Sequence, residues 1–204
     1  MNMVRLIFLF VVLMFATDGY ACEKEHGFID QESLDRIKEM IVLHVGADTE
    51  IAAIKLLSGD TTLVSDIIVH YFKPGEDKIA SKGIVLESGE TFESNFAGLV
   101  PLPGNGCKIQ DVDFSMISSN IEEAIGLIEQ KGLFAKKGTE FQCVSSYQIN
   151  CSKEPLYVSH EYEIESKDFL LETRQGSTEE AQMIIEFRAQ SDGRVYIFSS
   201  STVW

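Results

Sequence analysis

Acidic side chains alternate with other residues along one segment in the last quarter of the sequence. Glu161, Glu163 and Glu165 are each separated by one residue, so a β-strand would place all three carboxylates on one face. Like charges on one sheet face repel each other, and they attract a cationic partner. We therefore interpret this row, extended by Glu172, as a docking surface for a basic protein. The alternative is a solvated face that keeps the protein soluble and protects strand edges. Further acidic residues follow on later segments: Glu179, Glu180 and Glu186.

The cysteines form an even set that could make two disulfides: Cys22, Cys107, Cys143 and Cys151. Four cysteines allow three pairings, and the spacing favours one of them. Cys143 and Cys151 are eight positions apart, so a bridge between them closes a short loop. Cys22 would then pair with Cys107 and tie the start of the mature chain to the loop at 104–106. We expect structural disulfides and hence an oxidising compartment.

The first 21 residues have the three parts of a secretory signal peptide. Arg5 supplies a positive charge, the 11 residues from Leu6 to Ala16 are all apolar, and Gly19 and Ala21 are small. A helix of 11 residues is about 16 Å long, which is too short to span a membrane. We expect cleavage after Ala21 and an exported protein, periplasmic or secreted.

Cleavage there would make Cys22 the first residue of the mature chain, which is where bacterial lipoproteins carry their lipid. The positions before it hold Gly19 and Tyr20, whereas a lipoprotein signal needs an aliphatic and a small residue there. A lipid anchor at Cys22 is therefore the alternative to the disulfide. In either case we expect no transmembrane segment after cleavage.

The charge balance narrows the classes of partner. The chain has 17 basic and 32 acidic residues among 204, a formal net charge of −15. Nucleic-acid binding depends on cations that displace counterions, so the balance argues against a nucleic-acid partner. It also argues against an anionic membrane surface.

We find no set of residues with the spacing of a known catalytic or cofactor site. The sequence has no G-x-S-x-G, no glycine-rich phosphate loop with a lysine, and no G-x-G-x-x-G after a strand. His160 and Glu161 begin a zinc-protease motif, but Ile164 stands where its second histidine is needed. We expect His160 and His70 to be core or sheet histidines. We predict a non-enzymatic protein with no metal and no cofactor.

Two aspartates precede the second predicted helix and could contribute to a calcium loop. Asp111 and Asp113 have the spacing of the first two ligands, but Met116 occupies the place where that loop needs glycine. We therefore interpret the pair as a solvated turn.

Hydrophobic periodicity predicts two helices. Apolar side chains at helical spacing favour a helix over 33–45 and a second one from Ser118 or Ser119 to Lys131. The segment from Thr49 to Ser58 suits either a helix or a strand, and we assign a helix.

The remaining segments have the composition and alternation of strands. Leu63 to Phe72 and Lys78 to Glu87 predict a hairpin around Pro74 and Gly75, and a region rich in glycine and proline at 89–106 predicts a long loop. Met183 to Ala189 and Arg194 to Ser199 predict a second hairpin. Two further strands would each present one apolar face: Phe141, Cys143, Ser145, Tyr147 and Ile149 on the first, and Leu156, Val158, His160, Tyr162 and Ile164 on the second.

These elements indicate an α+β fold in which helices pack on one face of an antiparallel sheet. We divide the chain into a signal peptide at 1–21, an N-terminal half at 22–100 and a C-terminal half at 101–204. Both halves have the same order of a helix followed by hairpin-linked strands, so they are candidates for a duplication.

Two short stretches carry a family resemblance. The helix with Glu122-Glu123-Ala124-Ile125 and the closing Asp192-Gly193-Arg194-Val195 resemble small exported helix-plus-meander domains of the PepSY kind. The resemblance implies a regulatory domain.

Our leading interpretation is an exported binding protein of the inhibitor or immunity type that docks a basic protein through its acidic face. The first alternative is a carrier with a pocket between helix and sheet, and the second is a PepSY-like regulatory domain. The pocket would be lined by aromatic residues that at strand spacing are also typical of a core: Phe141, Tyr147, Tyr162 and Phe187.

Overall fold

A computed structural model describes residues 31–58, 64–73, 78–94, 106–151, 159–172, 177–189 and 194–203. These residues form two α-helices and nine strands. The N-terminal half contributes α1 (Gln31–Val45), β1 (Ile51–Ser58), β2 (Val64–Phe72), β3 (Ile79–Val85) and β4 (Thr91–Glu93). The C-terminal half contributes α2 (Met116–Lys131), β5 (Phe141–Asn150), β6 (Ser159–Ser166), β7 (Phe169–Glu172), β8 (Thr178–Ala189) and β9 (Val195–Val203).

All nine strands belong to one antiparallel sheet, in the order β4-β3-β2-β1-β5-β6-β8, with β7 and β9 both paired to β8. Only Lys167 and Asp168 separate β6 from β7, so β7 continues along the same edge of β8 and β9 lies on the other. The predicted α+β class is confirmed, with both helices on one face of the sheet.

The two halves meet where β1 pairs with β5. Five residue pairs join the strands, from Ala53 opposite Asn150 to Leu57 opposite Ser146, with Lys55 opposite Gln148 in the middle. Each half therefore starts its own meander from the centre of the sheet and runs outward. The boundary that we placed at residue 100 falls in 95–105, outside the described residues.

Both predicted helices are present, and each buries one apolar stripe against the sheet. Leu34, Ile37 and Ile41 are the buried residues of α1, which ends at Gly46 with a positive φ of 106°. In α2 the chain leaves the helix at Gly132, whose φ of 58° is a conformation that glycine adopts without steric cost. The buried residues of α2 are Ile117, Asn120, Ile121, Ala124 and Ile128.

The helix predicted between Thr49 and Ser58 is wrong, because this segment is β1. Its residues from Ile51 to Ile54 are all buried, and the strand pairs with β2 on one side and β5 on the other. Ala52 is an extra residue in the pairing with β2, so the strand does not alternate strictly here. A continuous apolar run has neither a helical nor a strand period. Its pairing with β2 and β5, which the sequence does not display, decides the conformation.

The predicted alternation along β5 also needs correction. Tyr147 and Ile149 are buried on the helix side as expected, but Ser145 is an extra residue in the pairing with β6. This bulge puts Val144, rather than Cys143, on the buried side. The signal peptide at 1–21, much of the glycine-rich loop and the turn at 190–193 lie outside the described residues.

The predicted disulfide between Cys143 and Cys151 is wrong. Cys151 is bonded to Cys107, with their Cα atoms 5.5 Å apart. Cys143 and Cys151 lie at opposite ends of one extended segment, and eight residues of strand span about 26 Å, far beyond the reach of a disulfide. Cys107 instead pairs through its backbone with Ile51 at the start of β1, next to the end of β5. The predicted partner of Cys107, Cys22, lies outside the described residues.

Neither α1 nor α2 combines the length and the apolar composition that a membrane crossing needs, and they are the α-helices of the described part of the chain.

Replacing Cys107 and Cys151 together by serine should destabilise the protein. Their bond closes a loop with a sequence separation of 44, for which the chain-entropy model gives about 4 kcal/mol. The melting temperature under non-oxidising, non-reducing conditions should fall by roughly 10 °C. In excess reductant the variant and the natural protein should melt together. A non-reducing peptide map that links Cys143 to Cys151 would contradict the assignment.

Candidate functional site

The face of the sheet opposite the two helices carries the predicted acidic row. We call this surface the open face. Along the central strands it presents the residues that alternate with the buried ones, and most of them are partly exposed. The buried neighbours, such as Ile54, Tyr147 and Tyr162, point to the helices instead.

The structure brings Glu161, Glu163 and Glu165 together on the open face of β6, as the alternation predicts. Each carboxylate has a different polar neighbour on an adjacent strand. Arg188 Nε lies 3.2 Å from Glu161, Ser146 Oγ donates to Glu163 over 3.2 Å, and Gln182 Nε2 donates to Glu165 over 3.2 Å. Among these three carboxylates, the one paired with Arg188 is the first, Glu161, and the neighbours of Glu163 and Glu165 named here are uncharged.

Glu186 belongs to this site, although sequence reasoning placed it only on a later segment. On β8 it lies directly opposite Glu163. Residues directly opposite in an antiparallel pair have Cβ atoms about 5 Å apart, so the two carboxylates repel each other. Predicting this pair would require the register between β6 and β8. Because the short strand β7 lies between these two strands in the sequence, that register cannot be read from the length of a hairpin turn.

Arg188 and Phe198 also belong to the site, although the sequence did not indicate them. The Arg188 guanidinium lies 3.5 Å from the centre of the Phe198 ring and also pairs with Glu161. Stacking on an aromatic face and a carboxylate together hold an arginine in one place. Around this pair is a shallow depression of about 230 Å³ whose lining includes Lys55, Gln148, Glu163 and Glu186.

Glu172, the fourth residue predicted for docking, lies apart from the row. It is exposed at the end of β7, opposite Thr178 and beyond the two-residue break after β6. Exposed Glu179 and Glu180 lie nearby at the start of β8.

Three of the four aromatic residues predicted to line a pocket fill the core instead. Tyr147, Tyr162 and Phe187 face one another across β5, β6 and β8, and their rings stack with centroids 5.0 and 5.6 Å apart. All three are buried. Phe141 differs, because it lines a cleft of about 480 Å³ beside the end of α2, with Ile125, Ile128 and Phe134.

A buried hydrogen-bond network joins α2 to these rings. Asn120 Nδ2 donates to the Tyr147 hydroxyl over 2.8 Å, and that oxygen is 2.9 Å from His160 Nδ1. The Tyr162 hydroxyl donates to the Asn120 carbonyl over 2.7 Å. His160 is fully buried, as predicted for a core histidine, and its Nε2 has no hydrogen-bond partner among the described residues.

Both buried histidines are held in the neutral form. Burial lowers the pKa of His160 to about 4, against the opposing effect of the Asp113 carboxylate. Burial, followed by the positive charge of Lys55, lowers the pKa of His70 to about 4. His70 Nδ1 lies 2.7 Å from Ser81 Oγ on β3, which fits the sheet position predicted for it.

Asp113 forms the turn predicted for it. The backbone N–H and the hydroxyl of Ser115 donate to its Oδ1 over 2.9 and 2.6 Å, and these bonds lower the pKa of the carboxyl. Asp111 closes the short 3₁₀ turn from Ile109. Over the described ranges, no three His, Cys, Asp or Glu side chains are grouped so that they could hold a metal ion.

The free energy of unfolding should fall as the pH is lowered from 6.5 to 4. In this range the unfolded chain binds protons at both histidines, whereas the folded chain excludes them until about pH 4. His160 should contribute a loss of roughly 2–3 kcal/mol, from the shift of its pKa, and His70, which is less deeply enclosed, should contribute less. Urea unfolding at pH 7.5 and 4.5 measures this difference.

The variant His160→Asn keeps a group that can hydrogen-bond to Tyr147 but does not titrate. Its unfolding free energy should change less between the two pH values than that of the natural protein. Because only the difference between the pH values is compared, a structural effect of the substitution cancels. An unchanged difference would show that His160 is not held neutral.

No protein family, no curated protein and no solved structure matches this chain.

Proposed function

We propose that this protein is an exported binding protein that docks a basic partner protein on its open face and acts by binding, in the manner of an inhibitor or immunity protein. The observation that carries the proposal is the pair of Glu163 and Glu186, which lie opposite each other on neighbouring strands. Glu161 and Glu165 flank it on β6.

The repulsion within this pair supports a cationic ligand. Opposite like charges destabilise a sheet by roughly 0.2–1 kcal/mol. A lysine or arginine side chain of a partner, placed between the two carboxylates, would replace this repulsion by two attractions. The pair thus lowers the stability of the free protein and contributes to the stability of a complex.

Arg188 supports the same interpretation from within the chain. Its guanidinium shows how a cation binds at this surface, by contact with Glu161 and by stacking on Phe198. The next acidic position along the face, at Glu163, offers an equivalent carboxylate to a cation from outside. The net charge of −15 would steer such a partner toward the protein from a distance.

The cleft beside α2 supports a second candidate function, the binding of a small apolar ligand. Its volume of about 480 Å³ is within the usual range for ligand sites, and Ile125, Ile128, Phe134 and Phe141 supply apolar walls. The two functions differ in their response to salt. Association driven by charge weakens steeply with ionic strength, whereas binding in an apolar cleft does not.

Export is part of the proposal and has its own test. The Cys107–Cys151 disulfide is compatible with an oxidising compartment. N-terminal sequencing of protein from the secreted or periplasmic fraction should start at or close to Cys22. Protein that accumulates in the cytosol and starts at Met1 would contradict export.

Replacing Glu163 and Glu186 by glutamine should weaken binding without weakening the fold. Lysate of the exported fraction is passed over immobilised natural protein and over the variant, and retained basic proteins are identified by mass spectrometry. For a partner found in this way, association with the variant should be roughly three- to tenfold slower at low salt. The variant should unfold at an equal or slightly higher urea concentration, because a repulsion is removed.

The matched control is Glu39→Gln with Glu122→Gln, which changes the net charge equally on exposed positions of α1 and α2. It should retain the partner as the natural protein does. If both variants slow association equally, total charge rather than the open face is responsible. If neither does, the face serves only for solubility.

A further inference from the structure

The strand β9 forms one edge of the sheet, and its composition is unusual for an edge. Within the described residues it pairs only with β8, along eight residue pairs. Its nine residues, VYIFSSSTV, carry no charge, although 24% of the whole chain is charged. The opposite edge, β4, has only three residues and ends in Glu93.

Soluble proteins protect exposed edges by keeping them short, by charged or proline residues, or by covering them. The edge at β4 follows this rule because of its length. The edge at β9 spans about 30 Å, and its one protective irregularity is the bulge at Phe198. From Ser199 to Val203 the strand is regular and uncharged.

Large apolar side chains are also exposed along this edge. Tyr196 is 41% exposed, Phe198 52% and Val203 39%. On the other side of the strand, Val195 and Ile197 are partly buried. A strand added beside β9 would cover these residues and pair with the N–H and C=O groups on the side of β9 away from β8, which have no strand partner among the described residues.

The acidic pair lies within reach of such a strand. Ser199 is the residue of β9 directly opposite Glu186, and its short side chain leaves the carboxylate accessible from the edge. An added strand would lie two strand spacings, about 10 Å, from β8. A lysine on the open-face side of that strand, with its flexible four-carbon stem, can extend over Ser199 to meet Glu186.

We propose that the basic partner binds by strand addition: an extended segment pairs with β9 and carries basic residues at every second position, directed to the open face. The intervening residues of this segment are apolar and continue the side of the sheet that holds Val195 and Ile197. This inference rests on the proposed function and specifies how the partner is recognised. Charge complementarity favours this occupant over a second copy of the chain, whose net charge is also −15.

The test uses a synthetic eight-residue peptide of alternating lysine and valine, with blocked ends. A control peptide of the same sequence has every backbone amide N-methylated, so it keeps the charge but cannot donate to a strand. Binding is measured by calorimetry, and hydrogen exchange reports on the amides of residues 195–203. We expect the unmethylated peptide to bind at least tenfold more tightly and to protect β9. The variant with Glu163→Gln and Glu186→Gln should bind it several-fold more weakly.

The outcomes separate this inference from the proposed function. Equal binding of both peptides without protection of β9, but with weakening in the glutamine variant, would overturn strand addition and leave the acidic docking face in place. If the peptide binds the glutamine variant as tightly as the natural protein, both strand addition and the acidic docking face are overturned. Protection of β9 that rises with protein concentration in the absence of peptide would identify a second copy as the occupant and overturn the proposal.

Discussion

The pairing of β1 with β5 is the interaction on which the rest of the structure depends. It joins two meanders, each of which would otherwise leave its first strand as an unpaired edge, and it does so through five residue pairs in the middle of the sheet. Two neighbouring antiparallel strands are related by a two-fold axis perpendicular to the sheet, and a rotation about this axis does not exchange the two faces. If each half places its helix in the same way relative to its first strand, both helices therefore lie on the same face. Both helices consequently lie on one face, and the other face is left for solvent or a partner. The disulfide supports this joint, because Cys107 pairs with the start of β1 and Cys151 follows β5.

The polar network beneath α2 has a different role from the acidic face. Asn120, Tyr147, His160 and Tyr162 are all buried, and unpaired polar groups in such a place would cost about 1–3 kcal/mol each. The apolar contacts around them would tolerate several positions of the helix, whereas these hydrogen bonds are made in only one. The network therefore fixes how α2 lies across β5 and β6. It also explains why these aromatic residues are unsuited to a ligand pocket, since their hydroxyl groups already have partners.

The sequence predicts most of the local structure and the face of the acidic row, but it does not predict what lies opposite that row. Apolar residues recur with the period of a strand in 159–166 and with that of a helix in 33–45, because each element has one solvent-exposed side and one buried side. The segment at β1 has no such period, since four consecutive residues at its start are buried and its pairing with β2 is irregular there, and the helix assigned to it is wrong. The predicted disulfide is wrong because it was inferred from distance along the sequence. Closeness in sequence suggested Cys143 and Cys151, while the extended strand between them keeps them apart. Cross-strand neighbours such as Glu186 opposite Glu163, or Arg188 beside Glu161, depend on register, and the break between β6 and β7 conceals that register from the sequence.

The acidic pair and the uncharged edge are both features that a protein selected only for stability and solubility would lose. A single Glu163→Gln change would relieve the repulsion, and one lysine on β9 would protect the edge. The two features are also neighbours, because β8 carries Glu186 on its open face and contacts β9 along its length. A partner that uses only the carboxylates would leave the uncharged edge unexplained, and one that uses only the edge would leave the repulsion unexplained. An extended basic segment beside β9 accounts for both, since its backbone completes the sheet while its cations reach the carboxylates across the small serines.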